Sequence, residues 1–283
     1  MYDKYEVRYR ALSPITHGGE SSGTMTPLNK IRMTIQEGDE EFEDDIPAVT
    51  GNSFRGVLRR RLGYDLLSRL DIEVGDRTSN LLYSGGNFEG AAGKIDRRLI
   101  EEAREMLPML SLIATSFPSQ PMEGKLNVGF LYPVCYETER YTGVESDKSV
   151  YEYVDTLGYT RIDDLRAGMS PEAKEHVRDH QPDEGDGTSQ MMRYHVRFLA
   201  PGTPFHQKLT LKHPDEMERA TLGHAFDLFE QNPVIGGKSS VGHGKVSLSF
   251  EGERPDGGQY VDYIEDNKDD VREYIKKLDD RLS

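Results

Sequence analysis

The chain has 283 residues, 35% of them hydrophobic and 30% charged, which is enough length and apolar content for one large globular core. A formal net charge of −15 excludes indiscriminate coating of nucleic acid, and the single cysteine, Cys135, excludes an internal disulfide and a Cys-rich zinc site. No window holds the ~18 apolar residues of a membrane helix, and "MYDKYEVRYR" lacks a signal peptide's apolar region, so a cytoplasmic protein without a membrane partner is expected.

Residues 4–12, "KYEVRYRAL", alternate, with Tyr5, Val7 and Tyr9 on one face and Glu6, Arg8 and Arg10 on the other. That is strand periodicity. The Gly/Ser/Thr/Pro-rich loop "SPITHGGESSGTMTP" (13–27) follows, then the strand pattern "NKIRMTIQ" (29–36) and an acidic turn, "EGDEEFEDD" (37–45). Phe54, Val57, Leu58, Leu62, Leu66 and Leu70 recur at helical spacing, with Thr50, Asn52 or Ser53 as the cap. Arg55 and Arg59 lie off that stripe and Arg60 further round; five arginines face a single Asp within 52–70, the composition of a local polyanion site or of a solvated helix face. Residues 76–118 read as a helical insertion, "KLNVGFLYPVCYE" (125–137) as a buried strand, and the polar stretch 138–190 as an excursion without a core of its own.

Two alternating runs flank "APGTP" in 191–213, the pattern of a hairpin. The amphipathic helix "PDEMERATLGHAFDLFEQN" (214–232) leads into the glycine-rich "IGGKSSVGHGK" (235–245), the strand "KVSLSF" and a charged C-terminal helix over 260–283. Stripped of insertions the order is βαββαβ. The expected fold is therefore α+β: an RRM- or ferredoxin-like core with an antiparallel sheet, one domain spanning 1–283.

The end of a P-loop is present in Gly237-Lys238-Ser239, but its first glycine would fall at Asn232, and the helix precedes the loop where a P-loop has it follow. A nucleotide triphosphatase is excluded. Phosphate chemistry remains: Gly236, Gly237, Gly242 and Gly244 permit close backbone approach, and Lys238, Ser239, Ser240 and His243 add donors. The loop "THGGESSG" offers Gly18, Gly19, Ser21, Ser22 and His17 in the same style. In a ferredoxin-like unit the connection after the first strand and the one before the last lie on the same side, beside the N-terminus of the first helix. That arrangement suits a nucleic-acid backbone. No HExxH or H-x-H pattern occurs, so neither a metal nor a cofactor is expected.

The ordered segments "ALSPITHGGESSG", "IPAVTGNSFRGVLRRRL" and "VIGGKSSVGHGKVSL" resemble the RAMP superfamily of CRISPR proteins, and among these the Cas-seven-type backbone subunits, type IV before type III. The resemblance implies a non-catalytic subunit that polymerises head-to-tail along a CRISPR RNA and holds the spacer for pairing with target DNA or RNA, beside other effector subunits. It implies an RRM-like palm, helical fingers at 76–118 and a thumb at 138–190. The RNA-binding set it implies is His17, Gly18, Gly19, Ser21, Ser22, Asn52, Ser53, Arg55, Arg59, Arg60, Gly236, Gly237, Lys238, Ser239, Ser240 and His243. Type III subunits cut target RNA with an Asp after the first strand; Gly18 to Arg32 contains none, so no catalytic residue is expected. Two other readings stand beside this one: a metal-independent RNA endonuclease of the Cas-six type using His17, His195, His206 or His243, and a protein scaffold with no RNA role.

Overall fold

The computed structural model describes residues 1–20, 23–37, 40–86, 97–118, 120–162 and 191–282. Its core follows the expected order: β1 (Tyr2–Ala11), α1 (Gly51–Leu70), β2 (Leu126–Val128), β3 (Pro204–Lys212), α2 (Glu216–Gln231) and β4 (Val246–Glu251). Across the sheet the strands run β4-β1-β3-β2, every neighbour antiparallel. This is the ferredoxin-like arrangement, and it forces both crossover helices onto one face.

The alternation in β1 puts Val7, Tyr9 and Ala11 under those helices. On α1, Phe54, Leu58, Leu62, Leu66 and Leu70 are each at most 1% exposed, and burial of each contributes about 1.5–3 kcal/mol. Phe54 packs edge-on against Tyr9 and Phe229, with ring centroids 6.0 and 5.1 Å away, and so joins the sheet to α2. Thr50 caps α1, its hydroxyl accepting from Ser53 N–H (3.3 Å). Gly51 is needed there because a Cβ would lie 2.0 Å from Val128 O, where the helix start docks on β2. Asp215 and Glu218 form a reciprocal cap at the start of α2.

Several local expectations are corrected. The runs flanking "APGTP" do not pair with each other: β3 pairs with β1, while Met191–Leu199 pairs over nine rungs with Val154–Ile162. Together those two strands form a separate arm hairpin. The apolar stretch 125–137 is two short pieces, β2 and Tyr132–Pro133, split around Gly129, whose backbone is bonded to Lys208. Of the acidic turn, residues 40–45 lie in the second strand of a flap hairpin, Glu40–Pro47 against Lys30–Glu37. The C-terminal helix is two helices, Gly258–Asp266 and Lys268–Leu282. Within 76–118 lie the helices Asp76–Tyr83, Arg97–Met106 and Pro108–Ile113. The first strand of the arm falls inside the stretch expected to be a thumb, of which 163–190 lies outside the described residues. Among the described residues, no helix is long and apolar enough to cross a membrane.

Candidate nucleic-acid interface

Three structures converge on the loop over residues 13–29. The first is the glycine-rich connection between α2 and β4. Gly237 N–H donates to Thr16 O (2.6 Å), Gly244 N–H to Pro14 O (2.8 Å) and Leu12 N–H to Lys245 O (2.8 Å). Gly236 has a φ of 75°, and a Cβ there would sit 2.4 Å from Thr16 O, so only glycine lets these backbones meet. His243 lies between the loops, 3% exposed, with Nδ1 hydrogen-bonded to Thr16 Oγ1 (2.7 Å) and Nε2 to Tyr159 Oη (2.6 Å). Burial, and after it the nearby Lys238, hold its pKa below the usual imidazole value.

The arm hairpin is the second structure. Ile15 and Leu199 exchange two backbone hydrogen bonds of 2.9 Å, and Met25–Thr26 adds as a parallel strand beside His195 and Val196. Tyr159 and Tyr194 are direct cross-strand partners, stacked with ring centroids 5.3 Å apart. Lys238, in a left-handed conformation (φ 59°), points its Nζ at both rings, 5.3 Å from Tyr194 and 5.9 Å from Tyr159. Among the described residues no carboxylate pairs with Lys238. The hydroxyls of Ser239 and Ser240 stand exposed on the adjoining turn.

The third is the N-terminus of α1. Thr50 N–H donates to His17 Nε2 (3.4 Å), and Asn29 N–H donates to His17 O (2.7 Å). Burial lowers the His17 pKa as well, so the neutral ring that accepts this bond is favoured. The first turn of α1 carries no acid, so the positive end of its dipole is not neutralised from within the helix. Asn52 is exposed and Ser53 half-buried at this end.

Beyond this end, Asn52, Ser53, Arg55, Arg59 and Arg60 line one wall of an open groove of about 660 Å³. Arg55 donates from Nη2 to Asn52 Oδ1 (2.8 Å), while its Nε is buried and makes no hydrogen bond among the described residues. Arg60 is exposed and makes no ion pair among them. Arg59 departs from expectation. It is 8% exposed and donates from Nη2 to the carbonyls of Ile113 (2.9 Å) and Ala114 (3.1 Å). Burial, with Arg55 and Arg60 beside it, lowers its pKa to about 10. Its charge is used inside the fold.

The fold thus brings together the glycine-rich loop, His17 and the start of α1, as the topology required. Gly18 and Gly19 reach Leu28 and Pro27 across their own loop, so the Gly19 N–H donates to Pro27 O (3.0 Å) rather than to a ligand. Ser21 and Ser22 lie outside the described residues. His195 is exposed on the arm, and His206 lies on the sheet, away from the loops, with Nε2 2.9 Å from Glu6 Oε2. Sequence reading missed Tyr159 and Tyr194. The signal was a tyrosine in each of two alternating runs, "VDTLGYTRI" and "MMRYHVRFL", whose pairing their wide separation concealed.

No family model matches the chain, and no curated protein matches it. Among solved structures, it is similar to a chain of a structure described as a Type IV-B CRISPR complex, with a TM-score of 0.62 and 19% identity over 88% of this chain and 90% of that one. At that identity the likeness shows a shared fold, and the two chains carry it over nearly their whole lengths.

Proposed function

We propose that this chain is a CRISPR RNA-binding subunit of a multi-subunit interference complex, of the backbone type that lines up head-to-tail along a guide. The observation that carries this reading is the convergence of both glycine-bearing loops, a cation without a carboxylate partner among the described residues and an acid-free helix N-terminus at one place on an otherwise acidic protein. Support comes from the shared fold with a chain of a Type IV-B CRISPR complex. The donors on these elements are Lys238 and the exposed Ser239 and Ser240 on the loop, and Arg55 and Arg60 on the wall of the groove beside the start of α1. Such donors grip phosphate and ribose and leave base edges free for pairing. Stacked Tyr159 and Tyr194 add an aromatic surface beside Lys238, of the kind that holds bases without reading them.

The same arrangement opposes RNA cleavage by this chain. His243 is buried with both ring nitrogens engaged and so presents no idle nitrogen to a substrate, and Nε2 of His17 is taken by a backbone N–H. The test is titration of fluorescent single-stranded RNA at several salt concentrations. Lys238→Glu is expected to weaken binding and reduce the slope of log affinity against log salt by about 0.7 or more per charge removed. An unchanged affinity and slope would sink the site. Site-specific cleavage of repeat RNA in EDTA, lost in His17→Ala or His243→Ala, would replace the reading with an endonuclease.

A further inference from the structure

We infer that the face of the sheet opposite the two helices carries a divalent-cation site formed by Glu6 on β1, His206 on β3 and Glu251 on β4. One ligand atom from each residue lies within 4.8 Å of the others. All three stand on adjacent strands of the central sheet, so their backbones are held by ladder hydrogen bonds rather than by a loop. His206 is 1% exposed and directs Nε2 at Glu6 Oε2, 2.9 Å away. An imidazole nitrogen and two carboxylates are a ligand set for zinc(II) or manganese(II), and three protein ligands leave further positions to water.

The electrostatics of the face point the same way. Glu6 lies directly across from Glu251 in the β1–β4 ladder, and like charges so placed destabilise a strand pair. A cation has to compensate them. Here the guanidinium of Arg8, from the next outward-facing position on β1, bonds to Glu251. It neutralises one carboxylate of the two, and its side chain is 54% exposed, on a long stem that can swing aside. Arg8 holds the place that a metal ion would take. The other cation facing His206 is Lys208, whose Nζ is committed to Tyr141 O (3.0 Å). No metal motif shows in the sequence because the donors come from three strands, with Glu6 and His206 200 positions apart.

The site is independent of the RNA reading and is tested without RNA. Tag-free, EDTA-stripped full-length protein is titrated calorimetrically with zinc(II) and, separately, manganese(II), and its melting temperature is followed. A single saturable site is expected for at least one of the ions, with a rise in melting temperature as the ion is added. Glu6→Gln and Glu251→Gln, at partly exposed positions and with the fold checked by circular dichroism, should lose that site. Arg8→Met should bind the ion more tightly than the parent chain, because the competing cation is gone. A purely structural ion pair would instead leave Arg8→Met less stable and no better a metal binder. Absence of a saturable site for both ions, binding that persists unchanged in Glu6→Gln and Glu251→Gln, or weaker binding by Arg8→Met would each overturn the proposal.

Discussion

The glycine-rich loop and the arginine-bearing helix α1 both read as basic elements, and the fold uses their charge in opposite ways. In the loop, Lys238 rests its ammonium over two tyrosine rings, with no carboxylate partner among the described residues. On the helix, Arg59 donates to the carbonyls of Ile113 and Ala114, and Arg61 to those of Leu228, Phe229 and Asn232 at the end of α2. A guanidinium has several donors in a planar fork and so closes orphaned carbonyls well. A cation on one stretch of chain is a fastener, and on the next it is a grip. Among the helix arginines, Arg60 and the half-buried Arg55, whose Nε has no hydrogen-bond partner among the described residues, stay on the side of the grip.

Removing Arg59 breaks this contrast most severely. Arg59→Met leaves two inward-facing carbonyls without a donor, at an expected cost of about 2 kcal/mol in unfolding free energy. Chemical denaturation reads this loss, while the RNA affinity of the folded fraction stays near that of the parent chain. A large fall in affinity with undiminished stability would move Arg59 into the groove. Gly236→Ala comes next. Its left-handed φ and the 2.4 Å approach to Thr16 O give an expected loss of about 1 kcal/mol or more. Because the two loops part, RNA affinity should fall with it, and parent-like RNA binding would show that the grip does not need the loops joined.

The smallest effect is on pH. Burial holds the folded-state pKa values of His17 and His243 below the ordinary 6.5. Below that ordinary value the unfolded chain binds more protons than the folded one, so this stability is present at neutral pH and is lost as pH falls through about 6.5 towards the lowered values. Urea unfolding at about pH 7.5 and about pH 5.5 measures it. His243→Gln should flatten the dependence, and an unaltered slope would contradict the role of burial at this position.

Much of the ferredoxin-like core was legible because its signals are local. Thr50 followed by Phe54, Leu58, Leu62, Leu66 and Leu70 announces a capped, one-sided helix. The βαββαβ order then dictates that the loop after β1 meets the loop before β4, as Gly237 and Thr16 do. Contacts between distant segments were not legible. Alternation in 191–199 and 204–212 correctly marks two strands but names no partner, and adjacency wrongly suggested that they pair. Tyr159 and Tyr194 were missed for that reason. Arg59 was misjudged because its carbonyl partners lie 54 and 55 positions away, where helical spacing says nothing.

The most direct measurement is the mass of the ribonucleoprotein made when the chain is co-expressed with guides of two different spacer lengths. The expected result is a longer guide carrying more copies of this chain, in a filament extended by whole subunits through head-to-tail contacts. A mass that ignores guide length, or a protein that purifies free of RNA in both cases, would contradict the proposed role.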